Sequence, residues 1–166
     1  MDAKKAAELM ERPLDSREFN NLASWLREVD GRERTCFLKE HFSNSASYRL
    51  ATSVINKRDE AYEIVRFGLD SIHTANSQRT KAAVEFGIKK LGPKRTIAEV
   101  ATRINSQPHV VDMALYWMPS MIEEGDLALP DLKELKRVAL EADVIRPTRE
   151  TRQTDGSTLY SDRYGP

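Results

Sequence analysis

Cys36 and His41 are the nucleophile and base that a thiol-based acyl transfer would need. Five residues apart on a straight helix, they diverge by well over 90°. No nucleophile–base pair follows from that spacing. Cys36 stands next to Phe37 and Leu38, so the expectation is a buried structural thiol. Asp70 and His73, at i and i+3, can touch on one helix face. A metal ion would need a third ligand, and the neighbouring sequence offers none. A surface pair is expected there. His109 precedes an apolar helix and is expected to be exposed. Glu123, Glu124 and Asp126 have the charge to attract a cation, and read more simply as a solvated helix end. Gly87, Gly92 and Gly125 are isolated, so no glycine-rich phosphate loop is present. Trp25 and Trp117 fall in apolar stripes of helical spacing, which favours core packing over ligand stacking. The expectation is therefore no catalytic residue, metal site, cofactor or small-molecule substrate.

A cluster of cations points to binding instead. Lys89, Lys90, Lys94 and Arg95 flank the turn Leu91-Gly92-Pro93, and Arg79, Lys81 and Arg103 lie in the same unit. Residues 76–106 carry seven basic and two acidic side chains, whereas residues 107–143 carry three basic and eight acidic. The two stretches cancel in a chain of 26 basic and 26 acidic residues. A neutral protein with such a dipole can present a basic face to phosphates or to an acidic protein surface. The simpler alternative is a solvated turn, with adjacent helices attracting each other.

The elements that must hold these cations read as helices throughout. The 166 residues suit one domain, and 40% hydrophobic content is enough to bury a core. No apolar run approaches 18 residues, so no transmembrane helix is expected. No apolar stretch of a signal peptide follows Met1-Asp2-Ala3-Lys4-Lys5, so a cytoplasmic location is expected. A single cysteine excludes a disulfide framework. A short polar helix spans Ala3 to Met10 and closes at Pro13. Asp15 or Ser16 can cap the next helix, with Glu18 supporting its first turn. Apolar residues then recur at helical spacing up to Ala139, and Leu127-Ala128-Leu129 is too short to count as a strand.

The breaks between helices recur. Asn-Ser occurs at 44–45, 76–77 and 105–106, and an alanine follows within each next helix, at Ala51, Ala83 and Ala114. Two helices per period of about 30 residues is the mark of a helical solenoid. Small residues in register let paired helices approach closely, and stacked units bury the apolar face that each alone leaves open. Four hairpins fit, over 15–43, 44–75, 76–104 and 105–143.

The stretch from Asn76 to Gly87 resembles the first helix of a HEAT-type repeat, and Gly92 to Ala101 resembles its turn and second helix. Pro119 would sit in a first helix, where such repeats tolerate a kink. The resemblance covers 76–143 best. It implies an all-α, right-handed α-solenoid of about four antiparallel helical hairpins that binds another macromolecule without doing chemistry.

Residues 96–127 also resemble a winged helix-turn-helix. Ala101 sits where a tight crossing needs a small residue, and Asn105 where the turn needs a left-handed one. Val111 and Leu115 would pack the second helix, and Glu123 to Leu127 would begin a wing. The exposed face of that helix would be His109, Asp112, Met113 and Tyr116, which lacks the bidentate donors that read base edges.

The organisation expected is a capping helix at 1–14, a repeat domain at 15–145 and a polar tail at 146–166. The tail has almost no apolar residue before Leu159, Tyr160 and Tyr164, which would dock it on the solenoid or a partner. The function expected is a non-enzymatic adaptor or scaffold that engages a protein partner. The alternative is a nucleic-acid-binding protein, working through the basic turn 89–95 or as a winged-helix regulator. No membrane partner is expected.

Overall fold

The computed structural model describes residues 1–41, 45–73 and 77–145. Leu159, Tyr160 and Tyr164 lie outside the described residues. Among the described residues the structure is all-helical, with no strand. The helices are α1 (Ala3–Met10), α2 (Ser16–Glu28), α3 (Gly31–Glu40), α4 (Ser45–Val54), α5 (Arg58–Asp70), α6 (Ser77–Leu91), α7 (Pro93–Ala101), α8 (Pro108–Trp117) and α9 (Leu129–Glu141). No helix among them is long and apolar enough to cross a membrane.

Local chemistry sets the helix ends. Asp15 and Glu18 form the reciprocal cap expected of them: the Asp15 carboxylate accepts from the Glu18 amide at 2.7 Å, and the Glu18 carboxylate accepts from the Asp15 amide at 3.2 Å. Asp30 accepts from the amides of Arg32 and Glu33 and so starts α3 almost without a loop after α2. Two of the three Asn-Ser breaks coincide with helix starts, at Ser45 and Ser77. The third lies in the turn before Pro108, which opens α8. Gly92 joins α6 to α7 at φ +86°, a conformation that a side chain resists. Pro119 ends α8 instead of kinking it, because Met118–Ser120 tightens into a 3₁₀ turn.

The helices pack in two series. α2 lies on α4, α4 on α6, and α6 on α8; α3 lies on α5, and α7 on α9. α6 is the hub and touches α4, α5, α7 and α8. Ala51, Ala83 and Ala114, on α4, α6 and α8, are all fully buried, which gives these three helices a small residue at the core. Side-chain contacts show that α5 and α7 run parallel. Tyr62 pairs with Glu99, and Arg103 reaches back to Asp70 at 2.6 Å. The 37-residue offset of Tyr62 and Glu99 recurs between Lys94 and Asp131, on α7 and α9. One continuous core holds Leu22, Leu26, Leu38, Leu50, Ile64, Phe86 and Met118. Each such side chain contributes about 1.5–3 kcal/mol of burial.

Three features of the helix-turn-helix resemblance meet a different structure. Among the described residues Asp143 is the only non-glycine at positive φ, so Asn105 does not adopt the left-handed turn conformation. No strand forms at 123–131; Asp126 accepts from the Ala128 amide at 2.7 Å, and the chain turns directly into α9. Met113, expected on an exposed face, is buried.

Candidate functional site: a basic edge at the starts of α5 and α7

Helices α4 and α6 end where α5 and α7 begin, and that end of the molecule gathers the cations. The Lys90 ammonium donates to the Ile55 carbonyl at 2.6 Å, which fixes the α6–α7 turn beside the α4–α5 turn. Arg27 donates to the Ser53 carbonyl at 3.2 Å from the other side. Both cations thus satisfy carbonyls at the end of α4, where the helix dipole is negative. Partial burial lowers the Lys90 pKa.

The expected site residues divide into four groups. Lys89, Lys94 and Arg95 are exposed at the turn. Lys94 lies 3.7 Å from Asp131, an open contact that leaves it accessible. Lys90 is half-buried and structural. Arg79 and Lys81 belong to the opposite end of α6, where Lys81 rests over the Trp117 ring at 4.5 Å and Arg79 stands within electrostatic range of the buried Tyr48 phenol. Arg103 is buried: it donates twice to Asp70, at 3.0 and 2.6 Å, and also to Glu99. It binds α7 to α5 and is not placed to meet a partner. Lys94–Asp131 is an ion pair between the basic stretch 76–106 and the acidic stretch 107–143.

The structure adds Lys57 and Arg58, both exposed at the start of α5. The 37-residue offset places them opposite Lys94 and Arg95 at the start of α7. The signal was present as a repeated pattern, Lys-Arg-x-x-Ala, at 57–61 and 94–98. Its 37-residue period is out of step with the Asn-Ser breaks at 44–45, 76–77 and 105–106.

All four cations sit at or in the first turn of their helices. The helix dipole disfavours positive charge there by about 0.3–1 kcal/mol per residue at an exposed site. Asp59 beside them offsets part of that charge. Cations that work against local stability are well placed for an anionic partner, because the helix N-termini add their own positive field.

The remaining chemical candidates resolve differently from expectation. Cys36 is exposed instead of buried, because it lies on the outer face of α3 while Phe37 and Leu38 turn inward. Its thiol sits 3.5 Å from Glu40, which raises its pKa and disfavours the reactive thiolate. Asp70 pairs with Arg103 and leaves His73 exposed. His109 is half-buried, with a ring nitrogen 2.7 Å from the Ile72 carbonyl. Trp25 packs edge-on against Phe37 at 5.2 Å, whereas Trp117 borders a surface groove. No family model, curated protein or solved structure matches the chain.

Proposed function

We propose that this chain is a non-enzymatic binding protein, a HEAT-like helical-repeat solenoid of about four hairpins that holds a protein partner along its basic edge. One observation carries the reading. Lys57, Arg58, Lys94 and Arg95 are exposed at the starts of two parallel helices, against the helix dipole. The alternating packing of α2, α4, α6 and α8 supports the repeat architecture, since each element leans mainly on near neighbours. An acidic protein surface complements the edge, and the acidic turn at Glu123, Glu124 and Asp126 would set the direction in which it lies.

The test is affinity capture from native extract with in-cell cross-linking, comparing the wild type with Lys57→Ala/Arg58→Ala/Lys94→Ala/Arg95→Ala. The wild type is expected to retain acidic proteins that the variant loses, with retention weaker at 200 mM than at 50 mM salt. An identical set of captured proteins from both would sink the reading.

A nucleic-acid backbone is the second reading. It is favoured by the one guanidinium in each Lys-Arg pair, a group suited to bidentate phosphate contact. Fluorescence anisotropy with DNA and RNA at about 50 and 200 mM salt separates the two. Salt-steep binding that disappears in the same variant supports nucleic acid, and its absence at low salt removes that reading.

A further inference from the structure

We infer that the groove between α6 and α8 is a docking site for an extended acidic segment carrying one apolar anchor. This inference rests on the chain being a protein-binding scaffold, and it names the partner chemistry. The groove has a volume of about 460 Å³. Lys81, Glu85, Ile88 and Lys89 of α6 line it, together with Trp117 and Met121. Ile88 and Met121 are only half-buried, so they leave apolar surface open to the groove.

Lys81 is the informative residue. Its ammonium lies 4.5 Å from the centre of the Trp117 ring, and Tyr116 braces that ring edge-on at 4.9 Å. A lysine normally loses much rotamer freedom when it meets a ligand. Here the indole face already orders it through a cation–π contact. Neither Lys81 nor Lys89 makes a hydrogen bond or ion pair among the described residues, although Glu85 lies between them on the same helix face. Both cations therefore remain available to carboxylates. A ring face that carries an ammonium suits a carboxylate better than a stacked base.

The spacing defines the ligand further. Lys81 and Lys89 are eight residues apart on α6, a rise of about 12 Å. An extended chain covers about 13 Å in four residues, with its first, third and fifth side chains on one side. Acidic residues at the first and fifth positions would meet Lys89 and Lys81. Glu85 excludes an acidic third side chain, and an aliphatic group there would reach Ile88 and Met121.

The full-length Trp25→Phe variant leaves Trp117 as the sole tryptophan reporter. The probe is the capped peptide Gly-Gly-Glu-Ala-Leu-Ala-Glu-Gly-Gly, titrated at low salt and followed by Trp117 emission. A saturable change below about 1 mM is expected, weakened about three- to tenfold by Lys81→Gln and by Lys89→Gln, both exposed-side changes that spare the core. The peptide with both Glu replaced by Lys is expected to leave the emission unchanged. No change up to about 1 mM, an equal response to the Lys peptide, or undiminished binding by both variants would overturn the inference. A Lys81-dependent change with a fifteen-nucleotide oligothymidine and none with the peptide would overturn it in favour of single-stranded nucleic acid. If the groove variants change nothing while the four-cation edge variant loses its partners, the groove fails and the scaffold reading stands. If neither set of variants loses binding, both fail.

Discussion

Two residues of the same type, adjacent in the chain, do opposite work at the α6–α7 turn. Lys90 spends its ammonium on the Ile55 carbonyl, whereas Lys89 points into the α6–α8 groove. Lys90→Met should therefore destabilise the fold by about 1.5–3 kcal/mol, the typical worth of a hydrogen bond to a charged group. Lys89→Met should leave stability unchanged and affect only binding. Chemical denaturation of the two variants checks this. A second residue-scale case is the buried pair of Arg34 and Glu60, joined by two hydrogen bonds at 3.0 and 2.9 Å. Arg34 also donates to the Leu26 and Val29 carbonyls at the end of α2. Glu60→Gln leaves the guanidinium buried without its charge partner, and a loss of about 3–5 kcal/mol is expected. Urea denaturation measures it, and a loss below about 1 kcal/mol would mean that water reaches the site.

At the scale of elements, close approach is set by single small residues. A Cβ on Gly87 would fall 2.8 Å from the Thr96 methyl and 2.9 Å from its hydroxyl, where α6 meets α7. Gly87→Ala should force these helices apart at a cost of about 1–3 kcal/mol. Thr96→Ala in the same chain should return most of it. Thermal denaturation of the two single variants and the double variant tests the compensation. Helix caps give the pH dependence. The amides of Glu33 and Arg32 hold the Asp30 carboxyl below its usual range. A lowered folded pKa means that the cap's contribution is complete above the unfolded value of about 3.9 and is lost as pH falls through the folded one. Asp30→Asn keeps a competent cap without the titration. Its stability should therefore fall less than the wild type's between about pH 5 and pH 2, which melting curves across that range can show.

The whole molecule is organised around α6, which touches four other helices, whereas α1 contributes only Ala6 and Met10 to the core. Local opening should follow that gradient. Native-state hydrogen exchange is expected to find the slowest amides in α6 and the fastest in α1. Uniform protection along the chain would contradict a fold built from neighbour contacts. The charge pattern belongs to this scale as well. The Lys90–Ile55 bond holds the basic turns at 57–58 and 94–95 close together, and the acidic turn at 123–126 comes later in the chain, before α9.

Much of this was legible in the residues alone. The 3.6-residue spacing of apolar side chains dictated helices, because only that period puts them on one face. Asp15 with Glu18, and Pro93 and Pro108, marked helix starts because a cap needs only local chemistry. Ala51, Ala83 and Ala114 marked the buried register of three helices. Local pattern could not say which cations face solvent. Arg103 and Lys90 look like their neighbours in sequence, yet Asp70 and Ile55, about 33 and 35 residues away, engage them. Lys57 and Arg58 join the basic edge only because α5 runs parallel to α7, and Trp117 meets Lys81 only because α8 lies on α6. Charge and polarity are properties of a residue, but exposure and pairing are properties of the packing, and those were decided by the tertiary structure.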